Sequence, residues 1–456
     1  MIDIKDIEGK KITIMGLGLH GGGVSSAAFF ASSGAEVTVT DLGSEKELLP
    51  SIEKLKGFSI RYVLGKHENS DFSDSDMVIK NPAVPLNSPF LKLAKRVETD
   101  ISIFLYLNKR PLIAVTGSKG KSTTSSAIYH VLRKYYPGAK LGGNITVSPL
   151  TFIGDTSDSV SPVILELSSW QLADIGKKNI LKPCISIITN IFPDHQNRYS
   201  NMEEYVTDKK IIYSCQTKGD STICNYDDSY GKQFAEESRG DIFYFSKNPL
   251  PQNINGAWID KKQGFLRKNG KTEKIISEDL SIPGSHNRIN LLCAGTALSL
   301  FGIESDSICR DLASFTGIPH RLELAGIKGD ISFYNDSAAT IPEAVAAAVR
   351  SFKNPVLITG GTDKKLDFSV FGDIAGSTED IYLLKGSAAG KIASLLDKNG
   401  RAFYGPYTSL KEAVLAAVKN IRKSRIILFS PGCASFEMFK NEFDRGNEFR
   451  RIVNSL

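Results

Sequence analysis

The sequence lacks the cysteine pairs that mark a zinc site or a disulfide framework. Its six cysteines are scattered and none belongs to a C-x-x-C pair. The N-terminal residues 1–6 lack a signal-peptide layout, and no apolar run approaches the roughly 18 residues of a membrane span. We therefore expect a cytoplasmic protein in a reducing compartment, without a membrane span.

Dense tracts of lysine and arginine are also missing. The formal net charge is +6 over 456 residues, and the hydrophobic content of 41% is enough for ordinary packed cores. This balance favours a solvated surface with a few anion-binding residues over a nucleic-acid-binding surface. No spacing typical of a Ser-His-Asp or Cys-His hydrolase and no metalloprotease motif is present.

One stretch predicts a phosphate-binding loop. The apolar run Leu112–Val115 predicts a buried strand, and helical spacing of apolar residues in Lys121–Tyr135 predicts a helix. The junction reads T-G-x-x-G-K-S from Thr116 to Ser122, and Val115, just before it, stands where the standard G-x-x-x-x-G-K-[ST] loop has its first glycine. We expect Lys121 to reach the β- and γ-phosphates and Ser122 to bind Mg²⁺. The alternative is a glycine turn before a helix, without a ligand.

The N-terminal region carries a second glycine-rich turn. The predicted strand Lys11–Met15 leads into Gly16–Gly21, a G-x-G-x-x-G sequence, and the next predicted strand ends at Asp41. This is the pattern of a dinucleotide-binding turn, which indicates a pyrophosphate-like ligand without specifying NAD. Asn81–Val84 follows another predicted strand, at the sheet edge where such folds hold ligands. A tight turn with no ligand is the alternative.

Predicted strands and helices alternate along the chain, which indicates an α/β fold with a mostly parallel sheet in each domain. At roughly 150 residues per domain, the length indicates about three domains. We place a Rossmann-like domain at 1–110, a central P-loop-type ATPase sheet at 111–316 and a second Rossmann-like domain at 317–456. Short strands and turns in Gly240–Ser277 predict a small β-insertion.

Polar residues follow two further predicted strands of the central domain. Glu166 ends one of them, where a carboxylate is placed for Mg²⁺ or water, with a helix N-cap cluster as the alternative. Asp194-His195 follows the next strand, and for this pair a structural and a functional role are equally supported. Lys209 and Lys210 lie on a predicted helix and by themselves indicate a solvated face.

Other polar residues lie at helix starts and strand ends further along the chain. Asn287 and Asn290 share one face of a predicted helix, where N-capping is the alternative role. Asp336, Lys364 and Ser435 lie in polar loops that follow strands of the third domain. Together these residues predict a phosphoryl-transfer enzyme with a nucleoside triphosphate, Mg²⁺ and a second anionic or nucleotide-like substrate.

The motifs together resemble the Mur ligase and folylpolyglutamate synthetase superfamily over nearly the whole chain. The matching motifs, in the order that the family shows, are Thr116–Thr123, Gly142–Ile145, Leu165–Gln171, Asp194–Tyr199, His286-Asn287, Pro319–Arg321 and Asn335–Ser337. Within the family, Asn335–Thr340 and Ser430–Ser435 resemble the branch that adds D-glutamate.

The resemblance implies an ATP-dependent, ADP-forming amide ligase of peptidoglycan precursor synthesis, which acts on UDP-N-acetylmuramoyl-L-alanine and D-glutamate. We expect the protein to be a monomer. In that family ATP phosphorylates the substrate carboxylate, and the amine of the amino acid then attacks the acyl phosphate. The implied ATP-binding residues are Gly117, Ser118, Lys119, Gly120, Lys121, Ser122, Thr123, Asn287, Asn290, Arg321 and Asp336.

The same resemblance implies two Mg²⁺ ions and the catalytic residues around them. The implied metal ligands are Ser122, Glu166, His195 and Lys209, the last as a carbamate, and Lys121, Glu166, His195 and Lys209 are the implied catalytic residues. The implied substrate-binding residues are Gly16, Gly18, Gly21, Asp41, Asn81, Asn144, His320, Thr340, Lys364 and Ser435.

Two positions near the expected amino-acid site depart from the family pattern. Ala338 stands where lysine is common, and Glu442 stands where an aromatic residue is usual, with Phe443 one place later. Another Mur-type ligase with a different amino acid is therefore an alternative. Two further alternatives are an NAD-dependent oxidoreductase built on Gly16–Gly21 and a nucleotide-gated binding protein without ligation. The oxidoreductase leaves the loop Gly117–Thr123 unexplained.

Overall fold

The structure, a computed structural model, describes residues 4–19, 21–145, 147–153, 158–192, 199–364 and 366–456. Three mainly parallel sheets follow one another along the chain, which confirms the predicted α/β class. Six strands are apolar runs buried along their whole length, as expected where helices cover both faces of a parallel sheet. They are Met77–Lys80, Leu112–Thr116, Val163–Glu166, Ile185–Ile188, Val356–Gly360 and Ile381–Leu384.

The N-terminal sheet has five parallel strands in the order β3-β2-β1-β4-β5. Because the strand order reverses between β1 and β4, a crevice opens at the carboxyl ends of these two strands. The strands are β1 Lys11–Met15, β2 Glu36–Asp41, β3 Ile60–Leu64, β4 Met77–Lys80 and β5 Val97–Glu98. The helices are α1 Gly22–Ser32, α2 Glu45–Ile52, α3 Ser70–Ser73 and α4 Asp100–Leu107.

The central sheet has nine strands in the order β14-β13-β12-β11-β10-β9-β6-β8-β7. The strands are β6 Leu112–Thr116, β7 Lys140–Gly143, β8 Val163–Glu166, β9 Ile185–Ile188, β10 Ser221–Asn225, β11 Asp241–Ser246, β12 Gly256–Asp260, β13 Gln263–Lys268 and β14 Lys271–Ile276. The helices are α5 Lys121–Tyr135, α6 Ser169–Ile175, α7 Met202–Lys210, α8 Ser229–Glu237, α9 Ser285–Leu300 and α10 Ser305–Ala313.

The short strands predicted in Gly240–Ser277 are present as β11–β14, but they extend the central sheet and do not form a sheet of their own. Strands β11 and β12 continue the central sheet in parallel, and β13 and β14 extend it by antiparallel pairs. Local sequence signals identified the strands but not their partners, because the strand β10 that joins them to the sheet was not predicted. In the family motif Gly142–Ile145, Gly142 and Gly143 end strand β7, and Asn144 and Ile145 lie in the turn that follows.

The C-terminal sheet has six strands in the order β15-β16-β20-β17-β18-β19, parallel except for β15. The strands are β15 Glu323–Lys328, β16 Ile331–Asn335, β17 Val356–Gly360, β18 Ile381–Leu384, β19 Tyr404–Tyr407 and β20 Ile426–Phe429. The helices are α11 Pro342–Arg350, α12 Val370–Ile374, α13 Ala389–Lys398, α14 Leu410–Asn420 and α15 Glu442–Ser455. One core lies under α11–α13 and another under α14 and α15.

The chain forms two compact units, Met1–Glu278 with Ile289–Leu312 and Asp279–Arg288 with Ala313–Leu456. The first unit holds the N-terminal and central sheets, which share one apolar core, and the second holds the C-terminal sheet. The three predicted domain limits stay predictions, although each predicted domain contains one sheet. Within the described part of the chain, none of the helices combines the length and the apolar character needed to cross a membrane.

We predict that Leu165→Ala destabilises the first unit strongly, because Leu165 lies fully buried in the middle of β8. The loss in unfolding free energy should be about 2–5 kcal/mol, from lost transfer energy and the remaining cavity. Leu49→Ala, at a residue that is 48% exposed, is the control. Denaturant unfolding followed by fluorescence measures both variants, and equal effects would contradict this account of the core.

Candidate active site

Four neighbouring strands of the central sheet end at the same edge of the first unit. They are β9, β6, β8 and β7, all parallel, so their carboxyl ends face the same way. The loop Gly117–Lys121 follows β6, and Glu166 ends β8. The fold therefore brings the predicted phosphate loop and the predicted metal-binding carboxylate to adjacent strand ends.

Two glycines of the loop have backbone angles that other residues avoid. Gly117 has φ 140° and Gly120 has φ 86°. A Cβ on Gly117 would overlap Thr189 Oγ1, and a Cβ on Gly120 would overlap Asn290 Oδ1. The predicted residue Asn290 thus lies directly against the loop.

Asn190, which the sequence did not single out, holds the loop in place. Its carbonyl oxygen accepts from Ser118 N at 2.8 Å, its Oδ1 accepts from Lys119 N at 2.9 Å, and its Nδ2 donates to Lys119 O at 2.9 Å. These two loop N–H groups are therefore occupied. The N–H groups of the first turn of α5 have no intrahelical acceptors by geometry, so they are the donors that suit a phosphate.

Two lysine ammonium groups converge on one loop carbonyl. Lys121 Nζ donates to Gly117 O at 2.8 Å, and Lys209 Nζ donates to the same oxygen at 3.1 Å. Lys209 is only 1% exposed, so its assignment to a solvated face is wrong. Lys210 does fit that assignment better, since it forms an ion pair with Glu237 at 2.7 Å. The two neighbouring lysines thus have different surroundings: Lys209 is buried beside the loop, and Lys210 lies in a surface ion pair.

Glu166 presents a buried carboxylate at the end of β8, only 1% exposed. Asn144 Nδ2 donates to its Oε1 at 2.8 Å, whereas Oε2 has no hydrogen-bond partner among the described residues. Helix N-capping, the alternative role for Glu166, does not explain its position, because Ser168 and Gln171 form the capping box of α6 without Glu166. A buried anionic oxygen without a donor is costly, and a divalent cation is the ligand that it suits. The site thus fits Mg²⁺.

His195 and the rest of 193–198 lie outside the described residues, so the predicted second metal site stays a prediction. The predicted ATP residues Ser122 and Thr123 begin α5, directly after the loop.

A cleft of about 460 Å³ opens at the carboxyl ends of β1 and β4. Gly16, Gly18 and Asp41 line it on one side and Asn81 on the other, as the strand reversal predicts. Gly21 immediately precedes α1, with φ 91°. Four of the five predicted substrate residues of the N-terminal sheet therefore line one cleft, and Gly21 lies next to Gly22, which also lines it.

Asp41 has an unexpected place in this cleft. Its Oδ2 accepts from Leu17 N at 2.8 Å and from Gly18 N at 3.1 Å, and its Oδ1 accepts from Gly43 N at 2.8 Å. The carboxylate thus fixes the glycine turn and occupies two N–H groups that a pyrophosphate would otherwise use. Of the anion-binding elements of this turn, the N-terminus of α1 remains.

In the second unit, loops after β16, β20 and β17 converge in the same manner. Asp336 accepts from Ser430 Oγ at 2.7 Å and from Leu322 N at 3.1 Å. Thr362 and Ala434 exchange two backbone hydrogen bonds, at 2.9 and 3.1 Å. These contacts join the strand ends that carry the predicted residues Asp336, Lys364 and Ser435.

Arg445, which no motif indicated, joins two of these loops from α15. It is 1% exposed and donates to Ser337 O at 2.8 Å and to Cys433 O at 3.0 Å. Burial lowers the pKa of its guanidinium to about 10. No sequence pattern marks an arginine in a helix as buried, which explains why it was missed.

The remaining predicted residues of the second unit differ in how far they are exposed to solvent. His320 is buried, with its Nδ1 3.0 Å from Asn335 Nδ2 and its ring against Phe443 at 5.8 Å, and burial lowers its pKa. Lys364 is exposed over the ring of Phe436. Thr340 is half-buried and Arg321 is exposed, while Asn287 is buried and donates to Pro283 O at 2.7 Å.

Comparisons with known proteins agree with this arrangement. The chain matches the family model "Mur ligase MurD-like, N-terminal domain" over residues 10–103 and "Mur ligase middle domain" over residues 115–298. Solved structures of similar fold include UDP-N-acetylmuramate-alanine ligase from Thermotoga maritima, with a TM-score of 0.61, 20% identity and coverage of 98% of this chain and 99% of that chain.

The chain belongs to the Mur ligase family. It is 44% identical to UDP-N-acetylmuramoylalanine–D-glutamate ligase of Borreliella afzelii (strain PKo), over 99% of each chain. It is 39% identical to the protein of the same name from Treponema pallidum (strain Nichols), over 99% of this chain and 98% of that one. The resemblance inferred from the motifs is thereby confirmed.

We predict that the stability of the second unit depends on pH through Asp336. Burial raises the pKa of this carboxyl from 3.8 to about 7. The folded state then holds the proton more tightly than the unfolded state, so stability falls as the pH rises from about 4 to about 7 and is level above.

Asp336→Asn should remove roughly 2 kcal/mol of the decrease in unfolding free energy between pH 5 and pH 8. Denaturant unfolding at several pH values measures this, with Asp397→Asn on the exposed side of α13 as the control. An unchanged pH profile in Asp336→Asn would contradict the assignment.

Proposed function

We propose that this chain is an ATP-dependent ligase that adds D-glutamate to UDP-N-acetylmuramoyl-L-alanine in peptidoglycan precursor synthesis, acting as a monomer. The observation that carries the proposal is the joint placement of the phosphate loop, the buried Glu166 and the buried Lys209 in a chain whose full-length relatives are D-glutamate ligases. The reaction forms an amide bond and converts ATP to ADP and phosphate.

A carboxylate is a poor acyl donor, so the proposed reaction begins with its phosphorylation by ATP. Lys121 and the N-terminus of α5 bind the transferring phosphate and stabilise its charge. The amine of D-glutamate then attacks the acyl phosphate, and the phosphate leaves. Phosphoryl transfer of this kind depends on positioning and on cations more than on a nucleophilic side chain.

We assign the metal ligands to Ser122, Glu166, His195 and a carbamate of Lys209, for two Mg²⁺ ions. When bound, Mg²⁺ neutralises charge on the phosphates. The free Oε2 of Glu166 supports the first part of this assignment. Carbamylation would turn the buried Lys209 cation into an anionic oxygen ligand, which a hard metal prefers.

We assign the UDP part of the substrate to the cleft around Gly16, Gly18, Gly21 and Asn81. Asn144 is assigned to the muramoyl part, close to Glu166, to which it now donates. The ATP contacts of Asn287, Asn290, Arg321 and Asp336, and the amino-acid contacts of His320, Thr340, Lys364 and Ser435, stay predictions from the resemblance.

A second candidate function is a Mur-type ligase with another amino acid. Ala338 stands where the family commonly has lysine, and its backbone N–H donates to His320 O at 2.9 Å. Glu442 begins α15, and Phe443 lies against the ring of His320. An aromatic side chain one place later thus still lies in this loop cluster, which favours D-glutamate over the second candidate.

The deciding experiment offers a panel of D- and L-amino acids to the enzyme with ATP, Mg²⁺ and UDP-N-acetylmuramoyl-L-alanine, scored by phosphate release. We expect strong turnover with D-glutamate and little with its L-enantiomer. Strong turnover only with another amino acid would refute the proposal and support the second candidate.

We predict that Lys209→Ala abolishes ligation, with a loss of at least about 100-fold in kcat, because it removes the assigned metal ligand. Short carboxylic acids should restore part of the activity by supplying the missing carboxylate. Lys210→Ala is the matched control, since Lys210 pairs with Glu237 on the surface, and should retain nearly full activity. An active Lys209→Ala enzyme would exclude the carbamate.

A further inference from the structure

A buried ion pair joins the substrate cleft of the N-terminal sheet to the central sheet. Lys80 ends β4, and its Nζ lies 2.9 Å from Asp174 Oδ2 on α6. The two side chains are 0% and 1% exposed. Helix α6 begins three residues after Glu166, so the ion pair connects the cleft to the strand that carries the proposed metal ligand.

Lys80 also holds one wall of the cleft directly. Its Nζ donates to Val84 O at 2.8 Å and to Asn81 O at 3.2 Å. Asn81 and Val84 both line the cleft, opposite the glycine turn. Asn81 further lies against that turn, because a Cβ on Gly16 would come within 2.9 Å of the Asn81 Cβ. This ammonium group therefore holds two backbone carbonyl groups of the wall.

A second buried contact connects the same two sheets beside Lys80. Asp100 at the start of α4 accepts from Ser148 Oγ at 2.8 Å. Burial raises the pKa of Asp100, and the positive charge of Lys80 opposes that shift. The positive charge of Lys80 thus interacts with two acidic side chains, Asp174 on α6 and Asp100 on α4.

Removing one charge of this ion pair costs more stability than removing both. A buried ammonium without its counter-ion is strongly unfavourable, so Lys80 cannot leave Asp174 at low cost. Replacing both charges with apolar side chains of similar size is often neutral for stability. A buried ion pair is therefore weak evidence of a stabilising role, which leaves room for a functional role of this one.

We propose that Lys80 is a positioning residue for the nucleotide of the substrate, holding the wall Asn81–Val84 in place with Asp174 as its anchor on the central sheet. The inference rests on the proposed function, which assigns the UDP part of the substrate to this cleft. Asp174 does not line the cleft, so its effect on nucleotide binding must pass through Lys80.

A second ion pair between the two sheets serves as the matched control. Lys178 Nζ lies 3.1 Å from Glu98 Oε2 and donates to Val97 O at 3.0 Å. These residues are outside the set that lines the cleft. A role limited to holding the sheets together would give the variants of both pairs the same effects.

The experiment measures binding of UDP by calorimetry and steady-state kinetics on the full chain. We expect Lys80→Met with Asp174→Leu, and also Asp174→Asn alone, to raise the Kd for UDP and the KM for the muramoyl substrate about 10-fold. The KM for ATP should stay within about twofold, because the phosphate loop is unchanged. Lys178→Met should leave all these constants within about twofold.

Thermal unfolding separates positioning from folding. Asp174→Asn, which removes the buried counter-ion at 2.9 Å from Lys80, should lower the Tm, and the double variant should regain most of that loss while its UDP affinity stays weak. UDP affinity that returns together with the Tm would overturn the proposal, as would an equal loss of affinity in Lys178→Met.

The two proposals fail in different ways. A wild-type enzyme that binds UDP but does not form ADP with D-glutamate would refute the proposed function, and the variants would still test Lys80 through the Kd for UDP. A wild-type chain that does not bind UDP at millimolar concentration would overturn the positioning role itself.

Discussion

The site depends on one constraint, the concentration of buried and half-buried charge at the carboxyl ends of adjacent parallel strands. Lys121 and Lys209 direct two ammonium groups at one carbonyl oxygen, that of Gly117, and Glu166 holds a buried oxygen without a donor at the next strand end. A buried carboxylate oxygen without a donor is costly, and a divalent cation is the ligand that suits the Glu166 oxygen. The N-terminus of α5 with Lys121 suits a phosphate.

Other side chains of the first unit fix the loops at this edge of the central sheet. Asn190 fixes the loop, Asn144 orients Glu166, and Lys80 with Asp174 ties the neighbouring cleft to the same sheet. The second unit also has charged side chains at its strand ends, where Asp336 and the buried Arg445 join loops that follow neighbouring strands. In each unit, polar side chains at strand ends are fixed by hydrogen bonds from neighbouring loops.

The sequence predicted the strand and helix order of most of the fold, because buried parallel strands are continuous apolar runs. It also predicted the phosphate loop, whose short spacing distinguishes it from the standard form, and the adjacency of Glu166. It did not predict the partners of β11–β14, since pairing is not local. Buried charged residues such as Lys80, Lys209 and Arg445 look like surface residues in sequence, and only their packing shows what they contact.

The central claim is that Gly117–Thr123 binds the phosphates of ATP. Its most direct test is the affinity of the full chain for a non-hydrolysable ATP analogue with Mg²⁺, measured by calorimetry for the wild-type protein and Lys121→Ala. We expect at least about a 10-fold weaker Kd in the variant, at an unchanged Kd for UDP. Equal affinity of both proteins for the analogue would contradict phosphate binding by this loop.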